Sequence, residues 1–312
     1  MYLLFADMKI SVITCVFNDE RYIESSVRSI LQQTHTNLEY IIVDDGSTDS
    51  TLSILQKIRE EDDRIQLVSQ PNGGPAAARN TALSLATGDY IAIQDSDDLS
   101  LPERLEIQLR SIGDYDVISS YYNIIDEDGN IMCTNLKDND IVKNLSLGSN
   151  PLAHGTLLIR RSALLSINGY DQFYEISEDF DMYLRLIEVG CSFARVKSVL
   201  CQYRIRKKSM MTTISEEYFK RAYDNYLTRK RGGVSAKTPI SSTKLVNKYH
   251  HEDRMALAIF WTEEYGKYLK YLFTNVTKIH FFSHLKYVIF TFLPKPVKIQ
   301  AKKIVFKLSD TN

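Results

Sequence analysis

The chain has 312 residues, 44% of them hydrophobic and 25% charged, which is ordinary globular composition with ample length for a core. Its net charge of −1 excludes a uniformly basic nucleic-acid binder and an acidic disordered chain. Four cysteines, Cys15, Cys133, Cys191 and Cys201, lack paired spacing; this excludes a disulfide framework and a cysteine zinc site, and suits a reducing compartment.

The opening "MYLLFADMKIS" has an apolar patch but no basic n-region and no small-residue cleavage site, so no secretory signal is expected. "KISVITCVF" (9–17) predicts a buried strand. A helix follows over 19–33, with Ile23, Val27, Ile30 and Leu31 on one face. "LEYIIVDD" (38–45) is a second strand, and 47–61 a second helix opened by Ser, Thr and Asp as capping candidates. "RIQLVSQ" (64–70) is a third strand; 73–86 begins with glycines and proline and turns helical. "DYIAIQ" (89–94) is a fourth strand, and 101–112 a helix with proline near its start. This alternation predicts an α/β fold with a parallel sheet, and near-continuous apolar strands predict a sheet covered on both faces.

The second part changes character. Strands are expected at 116–125 and 129–135, joined through "DEDG", and at 154–161. A helix closed by glycine is expected over 177–190, then two short strands, "SFARV" and "VLCQYRIR". From about 214 the pattern is mainly helical. No run reaches the roughly 18 apolar residues that span a bilayer.

In an open parallel sheet, ligands bind outside the carboxyl ends of the strands. Here those ends carry Phe17 after the first strand, Asp44 and Asp45 after the second, Asn72–Gly74 and then Arg79 after the third, and Asp95, Asp97 and Asp98 after the fourth. A solvated turn or a helix cap explains any one of these, but not the set. Carboxylates at i, i+2 and i+3 are hard oxygen ligands suited to Mg²⁺ or Mn²⁺, with substrate phosphates completing the shell. Arg79 can balance phosphate charge. There is no P-loop and no GxGxxG after the first strand. The pattern points to a nucleotide-diphosphate ligand.

Three blocks, "SVITCVFNDERYIESSVRSILQQTHTNLEYIIVDDGSTDST", "GGPAAARNTALSLATGDYIAIQDSDDLSLPERL" and "HGTLLIRRSALLSINGYDQFYEISEDFDMYLRL", resemble the signature blocks of family 2 glycosyltransferases over about residues 8–206. The resemblance implies a GT-A fold, Rossmann-like, with a mixed, mostly parallel sheet flanked by helices. It implies a catalytic domain over 8–213 and sets apart a helical, basic C-terminal region over 214–312. The implied activity is metal-dependent, inverting transfer of a sugar from a nucleotide-diphosphate donor, UDP-sugar favoured, to a saccharide or lipid-linked hydroxyl in surface polysaccharide or glycolipid synthesis. A retaining transferase, a nucleotidyltransferase or a non-catalytic nucleotide-sugar binder are the alternatives. Residue by residue, the resemblance implies Asp45, with Asp44 beside it, at the nucleotide base and Phe17 packing on it. Asp95 and Asp97 fall at the nucleotide, with Arg79 near the phosphates, and Asp97 and Asp98 at the Mn²⁺ or Mg²⁺. Asp179 is the implied general base. His154, Glu178 and Arg206 are placed along the donor–acceptor cleft. Arg206 stands where relatives often have histidine. The start of a helix at Asp179 is expected to favour its charged form.

From Tyr265 to Ser309 there is no Asp or Glu, but nine lysines and ten aromatics. Such a tail suits peripheral contact with the cytoplasmic face of an anionic membrane. Its other readings are an appendage packed on the catalytic domain or a homodimer contact. No nucleic-acid module is visible.

Overall fold

The structure, a computed structural model, describes residues 7–206 and 216–237. The chain divides into two compact units. The first, Met1–Ile205 with Thr213–Val246, holds every element below. Of the second, Arg206–Thr212 with Asn247–Asn312, only Arg206 is described. The lysine-rich stretch 265–309 lies outside the described residues.

The elements in order are β1 (Ile10–Val16), α1 (Ile23–Leu31), β2 (Leu38–Asp44), α2 (Thr51–Arg59), β3 (Ile65–Ser69), α3 (Pro75–Leu85) and β4 (Tyr90–Ile93). There follow β5 (Leu99–Ser100), α4 (Arg104–Ser111), β6 (Val117–Ile125), β7 (Ile131–Asn135), α5 (Ile141–Ser146) and a 3-10 turn at His154–Thr156. The last are β8 (Leu158–Arg160), α6 (Arg161–Ser166), α7 (Glu178–Glu188), β9 (Phe193–Arg204) and α8 (Glu216–Lys230). One sheet runs in the order β3-β2-β1-β4-β8-β6-β9-β5, with β7 added to β6. β1, β2, β3 and β4 pair in parallel, as do β6 and β9. β8 runs antiparallel to β4 and β6, β5 to β9, and β7 to β6. The sheet is mixed and mostly parallel along its paired length.

Strand side chains alternate between two cores. Ile13, Ile41, Val43, Ile91 and Ile93 share one with the small face of α3 (Ala76, Ala78, Ala82) and with α7. Val12, Tyr40, Ile42 and Ala92 share the other with α1, α2 and α4. Burial on both faces is what made the strands read as unbroken apolar runs.

Two expectations differ from the structure. Residues 154–161 are not one strand: His154–Thr156 is a 3-10 turn, only Leu158–Arg160 is extended, and helix α6 starts at Arg161. "SFARV" and "VLCQYRIR" belong to one strand, β9, whose register against β6 shifts at Ser120–Tyr122. α8 packs on α7 within the first unit through Phe180 and Phe219.

The register builds the site. Val16 pairs Asp44, Asp44 pairs Ser69, and Ile13 pairs Ile93, so four strands end along one rim. Antiparallel β8, with Leu158 opposite Ala92, carries His154 and Gly155 past the end of β4. β9, with Gln202 opposite Leu99, brings Arg204 beside the Asp95–Asp98 turn.

A buried cation fixes that turn from below. Arg104 is 0% exposed. Its guanidinium donates to Ile93 O (2.8 Å) and Leu157 O (3.1 Å), to Ser100 Oγ (2.8 Å) and Gln94 Oε1 (3.2 Å), and to Gln108 Oε1 (3.1 Å). Gln94 in turn donates to the carbonyls of Asp95 (3.1 Å) and Asp98 (2.8 Å). Arg104 therefore clamps both ends of the turn and joins β4 to the residue before β8. All five acceptors are neutral, and a buried charge is tolerated only when fully hydrogen-bonded. Arg104→Met keeps the bulk and strips donors from five buried acceptors. It should cost about 3 kcal/mol or more, read as a lower urea midpoint at unchanged slope; a loss under about 1 kcal/mol contradicts the clamp.

Candidate active site

The rim begins at the ends of β1 and β2. Phe17 is 49% exposed, an open apolar face beside the acids. Asn18 after it adopts a left-handed conformation (φ 52°) and its Oδ1 accepts the Thr48 N–H at 2.7 Å, locking the two strand ends together. Asp44 is fully buried and accepts Ser69 Oγ–H at 3.1 Å. Asp45 organises the next loop: Oδ1 accepts Gln70 Nε2 (2.8 Å) and Gly73 N (3.0 Å), and Oδ2 accepts Gly74 N (2.8 Å). Gly46 (φ +77°) makes this approach feasible, because a Cβ there would lie 2.9 Å from Asn72 N. The loop then enters α3 through Gly74 and Pro75.

The Asp95–Asp98 turn follows β4. Asp97 is half-buried and Asp98 almost wholly buried. The Arg204 N–H donates to Asp98 Oδ1 at 2.8 Å, and its Nε donates to the Asp97 carbonyl at 2.8 Å. Asp19, after β1, accepts Ser96 Oγ–H at 2.5 Å and holds the turn from the other side. Burial, then Asp97, then Asp95 push the Asp98 carboxyl well above the ordinary carboxylate range. Arg79 and Arg204 offset this crowding only in part, and the geometry leaves space beside it. A Cβ at Gly155 would stand 3.0 Å from Asp98 Oδ2 and 3.1 Å from Asp95 Oδ2, so two carboxylate oxygens flank a space that only glycine keeps open. Among the described residues no group of three His, Cys, Asp or Glu side chains is arranged to hold a metal by itself. The residues present fit a hard divalent cation whose remaining ligands come from a phosphate-bearing substrate or water.

The opposite wall is the start of α7. Ser177 is left-handed (φ 69°) and makes no side-chain cap, and Glu178, Asp179 and Asp181 crowd the first turn. Arg79 joins this wall to the Asp95–Asp98 turn: one arm bonds Glu178, and Nη2 lies 3.4 Å from Asp95 Oδ1. Asp179 is half-buried at the helix start. Burial, then the Glu178 charge, push its carboxyl up to about 7, against a smaller opposing pull from Arg79. The expected helix-dipole preference for the charged form is outweighed, since the dipole is worth less than desolvation beside a like charge.

His154 is buried among aromatics. Its Nδ1 meets Tyr183 Oη at 2.7 Å and its Nε2 meets Tyr170 Oη at 3.0 Å. Burial, then Arg79, hold it well below the ordinary histidine value, so the ring is neutral. The Arg79 guanidinium carbon also sits 5.5 Å from the centre of the Tyr170 ring. The structure thus brings Asp95, Asp97, Asp98, Arg79, Glu178 and Gly155 together around one cleft, with Phe17, Asp44 and Asp45 along the same rim. Arg206 falls in the second unit. Sequence reasoning missed Arg204 and Gln70. Asp19 was visible in "FNDE" after the first strand; Arg204 acts partly through its backbone N–H, which carries no residue signature.

This is the GT-A fold, a mixed, mostly parallel α/β sheet flanked by helices. S. aureus TarS in complex with UDP-GlcNAc superposes with a TM-score of 0.57 at 19% identity, over 82% of this chain and 80% of that one. A mannosyltransferase from Pyrobaculum calidifontis in complex with GDP-Man and Mn²⁺ superposes at 0.53 and 22% identity, over 86% and 75%. The family model described as Glycosyl transferase family 2 matches residues 11–166. EpsE of Bacillus subtilis, named as a glycosyltransferase, is 35% identical over 75% of this chain and 84% of its own. Chondroitin synthase of Pasteurella multocida is 26% identical over 91% of this chain and 33% of its own. The chain belongs to glycosyltransferase family 2 and is a transferase enzyme with polysaccharide-synthase relatives.

The raised Asp179 carboxyl has a stability consequence. The folded state binds this proton more tightly than the unfolded chain, whose ordinary value is 3.8. The stabilisation is complete below that value and is lost as pH rises through about 7. Asp179→Asn removes the linkage. Its thermal midpoint should match wild type near about pH 4 and exceed it near about pH 8; equal midpoints at both ends would mean the carboxyl titrates normally.

Proposed function

We propose that the chain transfers a sugar, with inversion, from a nucleoside-diphosphate donor to a hydroxyl of a saccharide or lipid-linked acceptor, with Mn²⁺ or Mg²⁺ at the Asp95–Asp98 turn. The arrangement that carries this is Asp179, whose carboxyl burial and Glu178 push up to about 7, on the wall that Arg79 ties to the Asp95–Asp98 carboxylate turn. Phe17 and Asp45 receive the nucleotide base, with Asp44 behind them. Asp95 and Asp97 hold the ribose and phosphate side. Asp97 and Asp98 hold the cation, which when bound offsets the charge of the departing diphosphate.

Asp179 takes the proton of the attacking hydroxyl. A base is most effective when its proton affinity lies near the working pH. Arg79, held between Glu178 and Asp95, keeps Asp179 registered against the donor and limits the repulsion among the acids. His154 supports the cleft wall from within as a neutral ring. Arg206 is assigned to the donor–acceptor cleft by resemblance alone. Binding of UDP-GlcNAc by TarS supports a UDP-sugar donor, and the mannosyltransferase bound to GDP-Man and Mn²⁺ supports a divalent cation. The synthase relatives support a surface polysaccharide or glycolipid product.

No helix among the described residues is long and apolar enough to cross a membrane. The basic stretch 265–309 supports peripheral contact at the cytoplasmic face of the membrane. That contact predicts co-sedimentation with vesicles of anionic lipid at low salt and release at high salt; indifference to such vesicles would assign the stretch to packing or dimerisation.

The chemistry is tested at two residues. Asp97→Ala should remove Mn²⁺-dependent nucleotide binding, followed by calorimetry, while the fold stays intact. Asp179→Asn should bind donor nucleotide as wild type does and lose transfer by about 10²-fold or more. Loss of donor affinity at unchanged turnover would make Asp179 a binding residue, and a product of retained configuration would exclude direct displacement.

A further inference from the structure

The wall that bears Asp179 is poorly held by its own sequence. Ser177 occupies a conformation that disfavours any side chain, with no cap bond to offset it. Three carboxylates crowd the first turn of α7 and repel one another. Left to itself, that end would fray. Yet chemistry at Asp179 needs it placed to within a fraction of an ångström.

The stretch 216–237 supplies what α7 lacks. Tyr218, Ala222, Asn225 and Tyr226 form a buried stripe on α8 at helical spacing. Beside that stripe, the Phe219 ring stacks on Phe180, the residue after Asp179, with ring centres 3.9 Å apart and planes 13° from parallel. Upstream, Tyr218 Oη donates to Glu175 at 3.2 Å, and Asn225 Nδ2 donates to Tyr174 Oη at 2.7 Å. Lys237 Nζ reaches Asp171 at 2.9 Å. Downstream, Arg229 forks onto Glu188 at 2.8 Å and its Nη1 lies 3.8 Å from Asp181. Six contacts from five side chains thus run from Asp171 to Glu188 and span the whole segment that presents Glu178 and Asp179. The braced segment and the brace both lie beyond residue 166, where the family match ends.

We infer that α8 is a brace for the catalytic wall, and that Phe219 is its central positioning residue, setting the place of Asp179 through the stacked Phe180. The inference rests on the reading of Asp179 as the base. α8 contacts α7 at Phe180, Asp181 and Glu188, so weakening it should misplace the base and leave donor binding alone.

Phe219→Leu keeps an apolar side chain but cannot stack; Phe219→Tyr keeps the ring, whose edge is only partly buried. Full-length variants are compared per mole of folded protein, with donor affinity measured by calorimetry and transfer by initial rates. Phe219→Leu should lower kcat about tenfold or more at unchanged donor affinity, and Phe219→Tyr should restore it. Arg229→Gln, at the far end of the brace and partly exposed, should show the same split more weakly and serves if Phe219→Leu does not fold. Unchanged kcat in Phe219→Leu or Arg229→Gln, or a parallel fall in donor affinity, overturns the brace. Asp179→Asn is run alongside: if it retains transfer the base reading fails, whereas if it loses transfer while the brace variants keep theirs, only the brace fails.

Discussion

One arginine holds the site together. Arg79 leaves α3 and binds Glu178 on α7 and Asp95 after β4, partners separated from it by 99 and 16 residues. Its side chain is 11% exposed, so each of these charges is largely removed from water. Pairs of this kind add little net stability, because desolvation consumes much of the Coulomb gain. What they fix is geometry, since removing one partner leaves a buried charge uncompensated. The wall bearing Asp179 and the turn bearing Asp95, Asp97 and Asp98 are thereby registered by a single side chain. Had Arg79 been free in solvent, each acid would have had to find its own counter-charge.

The electrostatics of the cleft follow from how few cations serve many acids. Arg79 compensates Glu178 and Asp95. Arg204 gives Asp98 a backbone N–H and otherwise spends its guanidinium on carbonyls of the turns around it. Arg104, directly beneath, bonds only neutral oxygens. The protein therefore shapes the carboxylate turn rigidly, with Arg79 and Arg204 offsetting part of its charge.

Much of this was legible in sequence. The strands β1 to β4 and helices α1 to α4 followed from period and caps, because each is long enough to show a pattern and the sheet is buried on both faces. Acids at the strand ends were legible because the parallel topology dictates where its ligand rim lies. Elements of two to six residues, β5, α5 and α6, show no period and were missed. "HGTLLIRR" misled for the opposite reason: its apolar run is buried core, and burial does not distinguish a strand from a 3-10 turn entering a helix. Arg104 was hidden by residue type, since a wholly buried arginine runs against every compositional expectation. Glu178 was legible as part of a crowded helix start and placed along the cleft, but its pairing with Arg79 depends on a contact across 99 residues.

Asp179 shows how two local rules compete and why the outcome suits the chemistry. A carboxylate in the first turn of a helix is ordinarily stabilised by the dipole, by a fraction of a kcal/mol at an exposed end. Here the same position is half-buried and has another carboxylate as its chain neighbour, and both effects favour the protonated form more strongly. A fully dipole-stabilised aspartate would be a weak base, ionised but unwilling to hold a proton. One with no opposing charge near it would stay protonated at neutral pH and could accept nothing. Arg79, by compensating Glu178, keeps the carboxyl between these limits. Proton affinity and position are therefore set by the same contact, and a change at Arg79 cannot alter one without the other.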